Sequence, residues 1–155
     1  MKEIYKEWLQ KAKDQEIYAE LKSIEGDERE IEERFYKHLT FGTGGLRGII
    51  GAGTNRMNVY VIGRITLALA DYLLEKYGSP SVVIAYDSRK KSDVFARAAA
   101  SALAKRGIKA FLFSELMPTP ILSFAVRYLK ASAGIVITAS HNPKEYNGYK
   151  VYGED

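Results

Sequence analysis

The chain has 155 residues and a mass of 17.4 kDa, with 46% hydrophobic and 27% charged residues. That balance excludes disordered, collagen-like and low-complexity sequence. The absence of cysteine excludes a disulfide framework and cysteine-ligated zinc or iron–sulfur sites, and fits a cytoplasmic protein. No apolar run reaches the ~18 residues that span a bilayer, and the charged start MKEIYKEWLQKAKDQ is no signal peptide.

The net charge of +4 is unevenly spread. Residues 1–37 carry 8 Lys/Arg against 11 Asp/Glu, whereas residues 38–155 carry 15 against 8. The basic part coincides with the glycines and the candidate motifs, which fits either a domain that meets an anion or plain solubility charge.

In chain order, residues 1–24 predict one helix, with Ile4, Trp8, Leu9, Ala12, Ile17, Leu21 and Ile24 close to helical spacing. Gly26 ends it. Asp27 with Glu30 resembles a capping box that opens a second helix burying Ile31 and Phe35. This pair reads as an N-terminal helical extension, residues 1–40, packed on a main domain of residues 41–155. Residues 41–58, FGTGGLRGIIGAGTNRMN, hold six glycines and leave room for a short strand near Ile49 and Ile50. A helix follows from about Val59 to Tyr77. SVVIAY (81–86), KAFLF (109–113) and AGIVIT (133–138) are buried-type strands, and YKVY (149–152) is a last short one. Helices over 94–106, capped by Asp93, and from about Pro120 to Leu129 separate them. The order predicts a three-layer α/β/α sandwich around a mixed, mostly parallel sheet of about four strands.

The glycine stretch matches neither a dinucleotide fingerprint nor a P-loop, because no strand directly precedes it and no Gly-Lys pair exists. It offers backbone N–H groups around Arg47, which suits either a phosphate seat or a tight structural turn. Thr138-Ala-Ser140-His141-Asn-Pro143 follows the third strong strand directly, where ligands of open α/β sheets collect. Ser140 is a candidate nucleophile, but its neighbours do not form a nucleophile elbow. The histidines are His38 and His141, and a serine-hydrolase triad is poorly supported. Asp87-Ser-Arg89, at another strand's carboxyl end, reads as a structural pair or as a device that positions the neighbouring loop or an anion. Lys150, in Asn147-Gly-Tyr-Lys150, is either a solvated lysine or a group that moves protons and holds phosphate charge.

ITASHNPKEYNGYKVY (137–152) resembles the phosphoserine signature of the α-D-phosphohexomutases. FGTGGLRG (41–48), YDSR (86–89) and TP (119–120) resemble further pieces of that family in the same order. FGTGGLRG, SFAVR (123–127) and HNPKEYNGYKVY are most similar to its phosphoglucomutase/phosphopentomutase branch. The resemblance implies the first domain of a four-domain enzyme, inactive as a fragment. It implies that Ser140 carries the phosphoryl group, with His141 beside it and Lys150 as acid/base. Arg47 would steady the phosphoserine and the bisphosphate, with Thr43 in the same loop. Gly44 departs from the Ser or Ala of many relatives.

The implied reaction moves a phosphoryl group between C1 and C6 of a glucose phosphate, or C1 and C5 of a pentose phosphate, through a sugar bisphosphate. The implied cofactors are Mg²⁺, held here only through the phosphoryl group on Ser140, and an activator such as glucose 1,6-bisphosphate. The remaining metal ligands would come from other domains. Partners are then sugar phosphates and those domains, not a membrane. A non-catalytic sugar-phosphate binding module is the alternative. A nucleic-acid binder is disfavoured, because the basic residues are dispersed apart from Arg89-Lys90-Lys91 and the aromatics form no stacking motif.

Overall fold

The computed structural model describes residues 1–42, 45–113, 119–139 and 142–153. Helices α1 (Lys2–Lys11), α2 (Gln15–Ser23) and α3 (Glu28–Phe35) come first. Then follow β1 (Leu46–Ile49), α4 (Val59–Lys76), β2 (Ser81–Tyr86), α5 (Ser92–Lys105), β3 (Lys109–Leu112), α6 (Thr119–Tyr128), β4 (Ala133–Ile137) and β5 (Tyr146–Gly153).

The strands form one sheet in the order β1-β5-β4-β2-β3. Strands β4, β2 and β3 are parallel neighbours, and β5 runs antiparallel to both β4 and β1. The sheet therefore has five strands, one more than the about four that apolar runs predict. The extra strand, β1, lies inside the glycine-rich stretch and is centred on Arg47 and Gly48 instead of Ile49 and Ile50.

The apolar runs of β2 and β4 are buried on both faces, because successive side chains point to opposite layers. KAFLF, read as a buried-type strand, instead forms the sheet edge β3, where Lys109 and Leu112 are exposed because, among the described residues, no strand flanks it on that side. Val82 and Ile84 of β2 join Ile135 and Ile137 of β4 under α4 and α5. Val83, Ala85 and Val136 face Leu122, Ala125 and Val126 of α6. This is the three-layer sandwich that the sequence pattern implies.

The N-terminal helices enclose a second cluster of Tyr5, Ile17, Leu21, Ile31 and Phe35, against which Val59 and Tyr60 of α4 pack. The single helix predicted over 1–24 is two helices. Ala12 takes an extended backbone, and Asp14 caps α2 by accepting from the Ile17 N–H at 3.0 Å. The Lys13 and Asp14 N–H groups, freed by the break, both donate to the Tyr60 hydroxyl, at 2.8 and 2.9 Å. Asp27 does cap α3, through the Glu30 N–H. Asp93 does not cap α5: it lies within the first turn and pairs with Arg97, while Lys91 precedes the helix in a left-handed conformation.

Candidate active site

The carboxyl ends of β2 and β4 lie side by side, since Tyr86 is paired with Ile137 in parallel register. The Asp87 N–H donates to the Ile137 carbonyl at 3.2 Å, so the segments leaving both strands start from one edge of the sheet. Beyond Ile137 the pairing continues: the Thr138 N–H donates to the Gly148 carbonyl at 3.0 Å. At Gly148 three backbones converge. A Cβ there would stand 2.5 Å from the Thr138 carbonyl oxygen and 3.0 Å from that of Leu46, so this position of Asn147-Gly-Tyr-Lys150 admits no side chain.

The segment after Asn142 is held from the β2 side. Arg89 donates to the carbonyls of Asn142 (2.7 Å), Pro143 (2.9 Å) and Tyr146 (3.2 Å). Asp87 Oδ1 accepts from the Arg89 N–H at 2.9 Å and from the Ser92 hydroxyl at 2.7 Å. The Asn147 amide, fully buried, donates to Ser92 Oγ and to the Lys90 carbonyl. Its oxygen accepts from the Gly148 N–H at 2.8 Å. Asp87 and Arg89 thus serve the neighbouring segment, one of the roles their sequence allows.

Arg47 and Lys150 share a face of the sheet. Arg47 is paired with Gly148, two residues from Lys150, and Leu46 and Tyr149 point the other way into the α4/α5 core. Lys150 is half-buried, paired with Val136, and its stem lies against Gly45. Among the described residues the Lys150 ammonium has no hydrogen bond or ion pair, while Arg47 donates to Asn142 Oδ1 at 3.1 Å. Gly45, at φ +92°, allows this approach, since a Cβ would stand 2.7 Å from the Tyr149 carbonyl oxygen. On the opposite face Tyr149 is buried, its hydroxyl 2.9 Å from Thr66 Oγ1 of α4. Burial pushes its phenol well above the ordinary range.

Of the residues singled out in the sequence, Arg47 and Lys150 are brought to one face beside Asn142. Thr43, Ser140 and His141 lie outside the described residues. Their flanks are fixed: Gly42 and Gly45 exchange backbone hydrogen bonds of 2.9 and 3.2 Å, and the Asn142 N–H donates to the Ala139 carbonyl at 3.0 Å. His38 is elsewhere, at a cavity of about 270 Å³ lined also by Trp8, Tyr60 and Arg64. Sequence reasoning missed Ser92 and Asn142, and it gave Asn147 no role of its own. Only the polarity of the two loops pointed toward them. Among the described residues no three His, Asp or Glu side chains come together as metal ligands.

Fold and site together define an α/β/α domain with its polar loops at the carboxyl ends of β2 and β4 and two cations on one adjoining face. The family described as "Phosphoglucomutase/phosphomannomutase, alpha/beta/alpha domain I" matches residues 38–155. A phosphoglucomutase of Staphylococcus aureus (strain USA300) is 46% identical over 150 residues, which is 96% of this chain and 26% of that protein. One from Staphylococcus haemolyticus is 53% identical over 124 residues, 80% of this chain and 23% of that protein. A Thermus thermophilus structure, solved under a provisional phosphomannomutase assignment, superimposes with a TM-score of 0.70 at 42% identity. It covers 76% of this chain and 26% of its own. A phosphoglucomutase/phosphomannomutase family protein from Burkholderia thailandensis gives 0.64 at 28% identity, over 74% and 26% of the two chains. The chain belongs to the phosphoglucomutase/phosphomannomutase family. It spans about a quarter of the length of the curated relatives it matches.

Proposed function

We propose that this chain is the phosphoryl-carrying domain of a phosphosugar mutase, with Ser140 as the carrier. The reading is carried by one observation: Arg47 is hydrogen-bonded to Asn142, the first described residue beyond Ser140 and His141. A guanidinium bonded to Asn142, two residues beyond Ser140 in the chain, suits a reaction whose chief demand is charge neutralisation and in-line positioning. The match of residues 38–155 to a family of phosphoglucomutases and phosphomannomutases supports the same reading.

In the proposed cycle the phosphate on Ser140 is attacked at phosphorus by the free hydroxyl of a sugar monophosphate. The bond from phosphorus to Ser140 Oγ breaks as the bond to the sugar oxygen forms. The hydroxyl releases a proton and Ser140 Oγ takes one up, so the transfer is neutral in protons. Lys150 is assigned that relay, together with contact to the phosphate, because it shares a face with Arg47. His141 follows the carrier in the chain and Thr43 precedes Arg47 in the same glycine-rich motif, and both are assigned to binding the transferred phosphate. The resulting sugar bisphosphate turns over and returns its other phosphate to Ser140, and added glucose 1,6-bisphosphate charges the serine in the same way. Phosphoserine suits this storage because a phosphate monoester hydrolyses very slowly in water.

Mg²⁺, when bound, would add positive charge beside the transferring phosphoryl group. The reading assigns its carboxylate ligands to the rest of the longer protein. The 155-residue chain alone is therefore expected to be inactive. The test is interconversion of glucose 1-phosphate and glucose 6-phosphate by the full-length protein. Conversion that disappears in Ser140→Ala supports the reading. Undiminished conversion by Ser140→Ala overturns it.

A further inference from the structure

We propose that Arg89 is a positioning residue for phosphoryl transfer: it fixes the backbone of residues 142–146 and through it the carrier segment. The proposal rests on the reading of Ser140 as the carrier, and it adds a residue for which that reading has no role.

Among the described residues the hydrogen bonds of the guanidinium go to main-chain carbonyls. Its Nε lies 3.8 Å from Asp87 Oδ2, too far for a hydrogen bond, although the group is mostly buried. Its terminal nitrogens instead reach the carbonyls of Asn142, Pro143 and Tyr146, at 2.7, 2.9 and 3.2 Å. Three main-chain acceptors from a five-residue stretch thus share one planar fork. Arginine offers five N–H donors in a fixed plane, whereas lysine offers its donors from a single point.

Arg89 is itself held. Its N–H donates to Asp87 Oδ1, which also accepts from Ser92, and Ser92 Oγ accepts from the buried Asn147 amide. The chain from Asp87 to Asn147 therefore closes on both sides of the 142–146 stretch. Asn142 is the junction: Arg89 takes its main-chain carbonyl and Arg47 its side chain, while its own N–H returns to Ala139. Residues 140 and 141 lie between Ala139 and Asn142 in the chain, so the distal attachment of the carrier segment is set by Arg89. Phosphoryl transfer is sensitive to such placement, since a shift of about 1 Å costs roughly 100-fold in rate.

The experiment uses the full-length protein, as wild type, Arg89→Lys and Arg89→Ala. It reads kcat and KM for glucose 1-phosphate, phosphoryl occupancy of Ser140 by peptide mass spectrometry, and the thermal unfolding midpoint. Arg89→Lys is expected to unfold within a few degrees of wild type, with KM little changed and kcat lower by about 100-fold. Guanidinium ion at low millimolar concentration is expected to restore part of the kcat of Arg89→Ala and to leave wild type unaffected. A wild-type kcat in Arg89→Lys overturns the proposal alone, as does loss of activity only in proportion to loss of folded protein. A wild type that neither carries phosphate on Ser140 nor isomerises the sugar overturns the function reading, and the proposal with it.

Discussion

Arg47 and Asn142 are 95 residues apart in sequence and are joined by a 3.1 Å hydrogen bond from a guanidinium N–H to the amide oxygen. The bond links the edge strand β1 to the segment that leaves β4, across the intervening β5. It is exposed, so solvent competes with it and it contributes little to folding. Its value lies in where it holds a positive charge. Arg47→Ala in the full-length protein is expected to leave the urea midpoint of unfolding nearly unchanged. Mutase turnover is expected to fall by about 100-fold or more, the usual loss when a donor to developing charge is removed. Steady-state kinetics beside an unfolding curve separates the two effects.

Tyr149 holds β5 to α4 through its buried hydroxyl and Thr66. Tyr149→Phe is expected to cost about 1 kcal/mol near neutral pH, the net contribution of one such bond. The cost depends on pH. Burial raises the phenol pKa in the folded protein, so the folded state keeps this proton where the unfolded chain, titrating near pH 10, loses it. Stability is then fully present below pH 10 and falls as pH rises above it. At about 1.4 kcal/mol per pH unit, the advantage of wild type over Tyr149→Phe disappears within about one unit above pH 10. Denaturant unfolding of both proteins between about pH 7 and pH 11 checks this.

Asn58 has two tasks. Its side-chain oxygen caps α4 by accepting from the Val61 N–H, and its amide donates to the carbonyls of Gly51 and Gly53 at 2.8 and 2.9 Å. Serine caps a helix as well as asparagine on an exposed surface. Asn58→Ser is nevertheless expected to destabilise the protein by about 2 kcal/mol, because buried carbonyls lose their donor. Urea unfolding that places Asn58→Ser level with wild type contradicts this account of the turn.

These residues also show where the sequence was readable. The strands under both helical layers were visible as apolar runs, since burial on two faces removes alternation. The glycine-rich stretch was harder, because two physical demands share one composition. Its first part forms β1 and carries Arg47. Its second part is a turn whose carbonyls serve Asn58 and whose Arg56 is buried and donates to the Asn55 carbonyl. Glycine density alone does not separate a ligand loop from such a turn. The break between α1 and α2 was hidden because the apolar spacing runs through it. Its partner, Tyr60, lies 46 residues beyond Asp14.

At the candidate site, Arg47 and Lys150 stood out as cations in a glycine stretch and near a strand's end, the motif resemblance gave them roles, and the fold brings them to one face. Asn142, Ser92 and the grip of Arg89 on three carbonyls depend on chain segments more than 50 residues apart. No local pattern encodes such pairings. Thr43, Ser140 and His141 fall outside the described residues, so their roles rest on the sequence alone: on the motif resemblance and, for Ser140 and His141, on their place after a buried strand.

The central claim is that one serine holds a phosphoryl group and gives it up again. The most direct measurement is site-resolved mass spectrometry of the full-length protein, first incubated with glucose 1,6-bisphosphate and then with glucose 1-phosphate or glucose 6-phosphate. The account predicts phosphate on Ser140 after the first step and its transfer to the sugar in the second. A protein that isomerises the sugar phosphate with Ser140 never phosphorylated, or with the phosphate on another residue, contradicts it.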